Sequence, residues 1–131
     1  MKDYLGNAYL PQWSFNGIGS AQIGYGYYVK TTVSTSLTFY GAYLTPEENP
    51  ITISSGWNIV GYLRTTQSAL IEIFEPLVAS DLIVIIKDYL GAAYLPEYDF
   101  NGIGDLFAGQ GYQIKMNSSQ VLQYNSNEEG Y

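Results

Sequence analysis

The sequence predicts an α+β fold, mainly antiparallel β-hairpins around one short helix, and three observations carry that expectation. A stretch of the chain occurs twice: displaced by 85 positions, residues 1–42 align with 86–127 without a gap, and 20 of the 42 pairs are identical. Such a repeat sets the architecture before any local pattern is read. Short apolar runs, alternating or continuous, end in turns rich in Gly, Pro, Asn and Asp, which is the pattern of strands. Only the segment after Thr66 carries apolar residues at helical spacing.

In chain order, Asp3-Tyr4-Leu5-Gly6 and Asp88-Tyr89-Leu90-Gly91 read as the same structural turn. The Asp opens a type I turn by bonding its own backbone, and the Gly three places on takes the left-handed position of a bulge. Beyond each turn, Ala8-Tyr9-Leu10 and Ala93-Tyr94-Leu95 are short strands ended by Pro11 and Pro96, which have no N–H for a ladder. Before Lys87, residues 81–86 form an apolar run of the kind found in strands buried on both faces, whereas only Met1 precedes Lys2. After each Pro, a loop ending in Asn-Gly-Ile-Gly is expected to place Phe15 with Ile18, and Phe100 with Ile103, on the core. Residues 24–30 and 109–115 then enter alternating strands, with hairpin partners expected at 36–40 and 121–124.

Residues 45–50, with two prolines and two acids, are linker, and 51–54 and 56–62 alternate as strands. Thr66 is a good N-cap for the helix, whose Leu70, Ile71, Ile73, Phe74, Leu77 and Val78 form its apolar side. Pro76 removes the bond to the carbonyl of Glu72, so the regular helix should end near Glu75, with a kink or a second short turn to Ala79.

With the helix-bearing stretch 51–86 called A and the hairpin stretch called B, the chain reads B-A-B, an internal duplication of half-units. The expected division of one body over 1–131 is a first hairpin half-unit at 1–42, linker and strand at 43–55, and a complete unit at 56–131. Either a longer array is cut at the orphan first B, or its missing A comes from a neighbouring chain, because an open strand edge invites a strand from elsewhere.

Composition narrows the functions. A hydrophobic fraction of 47% with 13% charged residues excludes ordinary disorder. A net charge of −7 and five scattered basic residues argue against a nucleic-acid partner. Without cysteine there are no disulfides, thiolate nucleophiles or Cys-ligated zinc, and without histidine no imidazole base or His-based metal site. No apolar run approaches the ~18 residues of a membrane span, so no membrane insertion is expected, and no cofactor is called for.

The repeat also tests catalysis. Among the acids only Asp3 and Asp88 are equivalent, and the turn explains them; glycoside-type chemistry needs a second carboxylate close by. A site confined to the second copy would use Glu97, Asp99 and Asp105, and the same acids with Asn101 are the candidate ligands for Ca²⁺, although their spacing matches no EF-hand. The 14 tyrosines, five phenylalanines and two tryptophans are the larger excess. Trp13 and its counterpart Tyr98 are the candidates for ligand contact, since such rings offer an apolar body with a polar tip. Tyr9/Tyr94 and Tyr27/Tyr112 are expected in the core or in cross-strand pairs, and Trp57 as a core anchor. Gly24-Tyr25-Gly26 and Gly109-Gln110-Gly111 precede strands, not helices, and are therefore not phosphate-binding loops.

Gly56-Trp57-Asn58-Ile59-Val60-Gly61-Tyr62, a short helix, Lys87-Asp88, Ala93-Tyr94-Leu95-Pro96, Phe100-Asn101-Gly102-Ile103-Gly104 and Gly109-Gln110-Gly111-Tyr112-Gln113-Ile114-Lys115-Met116 together form a combined pattern. It resembles a module of large secreted or surface proteins of marine Bacteroidetes and of some environmental phages. The likeness covers about 56–116, and its latter half covers 1–31 again, with departures at Ala21-Gln22-Ile23 and Tyr25. It implies an extracellular, often tandem module and carries no catalytic or ligand residues. The expected function is thus a non-catalytic structural or adhesive module of an extracellular or virion-surface protein, partnered by neighbouring copies or another chain. The alternatives are carbohydrate binding through loop aromatics and, third, a glycan-acting enzyme using the second copy's carboxylates.

Overall fold

The computed structural model describes residues 1–127. In chain order its elements are β1 (Tyr9–Leu10), a 3-10 turn at Pro11–Trp13, β2 (Phe15–Asn16), a 3-10 turn at Pro46–Glu48, β3 (Ile51–Ile53) and β4 (Gly56–Gly61). There follow β5 (Ser68–Ala69), α1 (Leu70–Ala79), β6 (Ile83–Lys87), β7 (Ala93–Leu95), a 3-10 turn at Pro96–Tyr98, β8 (Phe100–Asn101), β9 (Asp105–Leu106), β10 (Gly111–Met116) and β11 (Gln120–Leu122). The centre is a five-stranded antiparallel sheet in the order β4-β10-β6-β7-β8. The fold is therefore α+β, mostly antiparallel strands with one α-helix among the described residues.

Alternation decides which face of the sheet is covered. Val60, Ile86, Tyr94, Tyr112, Ile114 and Met116 point inward and pack with Leu70, Ile73, Phe74 and Leu77 of α1 and with Ile51, Ile53, Leu122 and Tyr124. Every buried hydrophobic residue of this core lies at position 51 or later. From the first fifty residues Pro46 has a fully buried side chain and Tyr25 packs, partly buried, against the cluster.

Several expectations are corrected. The helix does not start at Thr66: Ser68 and Ala69 pair with Leu106 and Asp105, and the Leu70 N–H donates to the Gly104 carbonyl at 2.9 Å, so strand pairing overrides the capping signal. Nor does it stop at Glu75. Glu72 and Pro76 both lie on the solvent side, where water can meet the carbonyl that loses its partner, while Phe74 and Leu77 hold the helix to the core on either side of the Pro. β6 is buried on one face only, because Val84 is exposed and Lys87 projects from the outer face.

β10 and β11 do not form a hairpin. Both edges of β10 are taken, by β4 and β6, so β11 pairs instead with β3. In the first copy the expected strands at 24–30 and 36–40 are absent. Gly24 and Gly26 make single bonds with the free edge of β4, the Gly61 N–H to the Gly24 carbonyl and the Gly26 N–H to the Ile59 carbonyl, both at 2.9 Å. Tyr28 bridges Lys2, and residues 34–45 run without regular structure. The pairing of Gln113 with Lys87 in the second copy recurs in the first as the single bridge of Tyr28 with Lys2, held by two hydrogen bonds of 2.9 Å.

Candidate functional site

The turns come first because they position everything after them. The Asp3 carboxylate accepts the N–H groups of Leu5 and Asn7 at 3.0 and 2.8 Å, and the Asp88 carboxylate those of Leu90 and Ala92 at the same distances. Gly6 and Gly91 are left-handed, at φ +88° and +87°, and each donates its N–H to the carbonyl of the Asp at 3.2 Å. At Asp3 burial works to raise the pKa, but the bonds from the Asn7 side chain and from the N–H groups of Asn7, Leu5 and Gly6 outweigh it and hold the carboxyl below its ordinary value.

From each turn a two-strand finger carries the 3-10 turn at its tip. Pro11 and Pro96 open these turns, and Ser14 and Asp99 close them in the left-handed region at φ 51° and 50°. The tips present Trp13 and Tyr98 at 72% and 71% exposure. Phe15 and Phe100 are also exposed rather than on the core, because they sit on the outward side of β2 and β8; Ile103 alone of the loop apolar residues packs against the core cluster. Tyr94 and Tyr112 are buried as expected for the second copy, whereas Tyr9 is 40% exposed, since the first copy has no core beneath it.

The Ca²⁺ candidates do not converge. The Asn101 side-chain oxygen is occupied by the N–H groups of Ile103 and Gly104, and Asp105 accepts from the Gln67 amide at 3.1 Å. Among the described residues no three acidic, His or Cys side chains come together to hold a metal ion.

Each copy has a cleft behind its turn. One, about 280 Å³, is lined by Asp3, Tyr4, Leu5, Ile18, Ser20, Gln22, Tyr25 and Tyr27; the other, about 250 Å³, is lined by the equivalent Asp88, Tyr89, Leu90, Ile103, Asp105, Phe107, Gln110 and Tyr112. In both, the Tyr hydroxyl accepts a backbone N–H, of Gln22 at 2.7 Å and of Phe107 at 2.9 Å. Tyr4 and Tyr25 stack at 5.4 Å, a contact that Gln110 in place of Tyr25 removes from the second cleft. A larger cavity of about 490 Å³ lies where the copies meet, with Tyr27, Tyr28 and Val29 facing Asp88, Tyr89 and Gln110.

The outer face of the sheet holds a group that sequence reasoning missed. Trp57 is no core anchor. It stands on that face at 45% exposure, with the Lys87 and Lys115 ammonium groups 5.5 and 5.9 Å from its ring centre. The strand parity of β4 gave the signal, since Asn58 and Val60 must point inward if Trp57 and Ile59 point out. Asn58 is buried and spends its amide on the carbonyls of Ser54 and Gly56 at 2.8 and 3.1 Å, fixing the bend that leads into β4.

Comparison of the chain with family models, with curated proteins and with solved structures finds no match. The site's chemistry therefore rests on its own residues. No helix among the described residues is long and apolar enough to cross a membrane.

Proposed function

We propose that the chain is a non-catalytic structural or adhesive module of a larger extracellular or virion-surface protein, built by duplication of one unit. Its partner is the strand-and-helix half of a further copy, of the sequence type of residues 51–86. One contrast carries this reading. Leu122 and Tyr124 are 3% and 2% exposed beneath β3, whereas their repeat equivalents Leu37 and Phe39 are 73% and 84% exposed with no strand beside them. The same residue types that make a core in one copy lie in water in the other, together with Tyr40 and Tyr43. Four large apolar side chains exposed within residues 37–43 are read as the segment a partner covers.

The register of the missing contact follows from the complete copy. Gln120, Val121 and Leu122 pair with Ile53, Thr52 and Ile51, so Thr35, Ser36 and Leu37 would take the same partners from a donor strand. The test adds a synthetic peptide of residues 50–62 to the intact chain and follows amide hydrogen exchange. The amides of 33–40 exchange freely without the peptide and become protected with it. If they stay unprotected, and sedimentation finds only monomer at high concentration, strand donation is wrong.

A second reading, glycan binding by the finger tips, is favoured by the near-equal exposure of Trp13 and Tyr98 at equivalent positions. A glycan array read with the Trp13→Ala, Tyr98→Ala double variant separates it from the first.

A further inference from the structure

The exposed cations of this acidic molecule are gathered, not scattered. Its only arginine, Arg64, is buried and bonded to the Ser68 hydroxyl and the Ser126 carbonyl, which leaves four lysines. Three of them surround one indole: Lys87 and Lys115 approach the Trp57 ring, and Lys2 borders a cavity of about 220 Å³ whose walls include Trp57, Tyr28, Gln113 and one acid, Asp3. The strands of the central sheet carry two lysines and no Asp or Glu, so this face is positive while the molecule as a whole is at −7.

We propose that this face binds a short acidic saccharide, with Trp57 stacking on a sugar ring and Lys87 and Lys115 holding its carboxylate or sulfate. The proposal goes beyond the module reading and does not depend on the unmated strand. Two ammonium groups drawn to one ring repel each other, and an anion between them turns that repulsion into attraction. Lysine is a point charge that suits either anion without the bidentate geometry of arginine. The indole offers a flat apolar face to the C–H side of a pyranose, and the Gln113 amide beside it can pair with hydroxyls. The cavity is smaller than the ~300–1,000 Å³ of drug-sized sites, which fits a single ring. Beyond the patch the acids dominate. Asp3 shares the cavity wall with Lys2, and Asp88 follows Lys87 directly, so a long polyanion such as a nucleic acid would be repelled beyond the Lys87 and Lys115 pair.

Calorimetric titration of the intact chain with four probes decides it: trigalacturonate, a chondroitin sulfate tetrasaccharide, maltotriose and hexathymidylate. At least one acidic saccharide should bind, maltotriose should not, and comparison of the two acids tells carboxylate from sulfate. Trp57→Ala and the Lys87→Gln, Lys115→Gln double variant should each weaken binding by about tenfold or more, and Trp57→Phe should restore part of the loss. Should Trp57→Ala lower the melting temperature, Lys115→Gln, made at an exposed side chain, carries the decision. The proposal falls if neither acidic saccharide binds, if hexathymidylate binds more tightly than both, or if a folded Trp57→Ala keeps full affinity, which would mean charge attraction alone.

Discussion

Gly26 and Gly111 hold the same position in the two copies and touch each other, yet a methyl added to each meets different surroundings. At Gly26 it would lie 2.6 Å from Ile59 Cγ2 and 3.3 Å from the Gly111 Cα, neither of which can swing away; at Gly111 the closest approach is an ordinary 3.5 Å. Gly26→Ala should therefore cost about 1–3 kcal/mol by overpacking, while Gly111→Ala stays within about 0.5 kcal/mol, as thermal or urea melts would show. Gly91→Val meets no atoms but does meet strain at φ +87°, and should cost on the order of 1–2 kcal/mol; an unchanged melt would remove the left-handed assignment. The Asp-x-x-Gly turns were legible because both partners lie within five residues. The closeness at Gly26 was not, because it exists only where the copies meet. Titration acts at single residues too. Burial raises the pKa of Tyr124, and that of Tyr112 in the same direction, above the ordinary 10.0. The native state then keeps protons that the unfolded state releases, so stability is whole below pH 10 and declines as pH rises past it. Tyr124→Phe, which gives up the bond to the Gly61 carbonyl, should blunt that alkaline decline.

Among the elements, the helix and the strand after it show where local pattern misleads. Thr66 and Pro76 are strong local signals, but the pairing of β5 with β9 and the burial of Phe74 and Leu77 override them. The pattern found β3, β4, β6, β7 and β10 because their alternation or apolar content spans several residues. It could not assign β11 to β3, since that choice depends on β10 being paired on both edges. The equivalent segments 35–39 and 120–124 give the sharpest prediction at this scale. Leu122→Ala should cost about 2–5 kcal/mol, in the usual range for a buried leucine. Leu37→Ala at the matching position should leave the melt of the isolated chain within about 0.5 kcal/mol and reduce its binding to the 50–62 peptide. Equal costs at the two positions would mean that the first copy already has a core of its own.

For the molecule as a whole, the repeat in the sequence led to the expectation of equivalent turns and loops, and the hydrogen bonds and φ angles at these turns within 3–19 recur within 88–104. It did not foretell that the halves would be unequal, with one core built from residue 51 onward. That asymmetry arises from which strands have neighbours, and no periodicity within one copy records it. Nor did composition show the collected lysines, because charges far apart in the chain meet only across strands. The positions of the two indoles have a practical consequence. Trp13 and Trp57 both reach water in the folded state, so their emission is already close to that of a solvated indole, and unfolding will redden it little. A fluorescence melt would make the protein look unresponsive, whereas the enclosed Tyr62 and Tyr124, edge to face at 5.4 Å, give a near-ultraviolet dichroism that vanishes with the fold. The same optics make Trp57 a sensor, since whatever comes to rest on that ring will be seen as a change in its light.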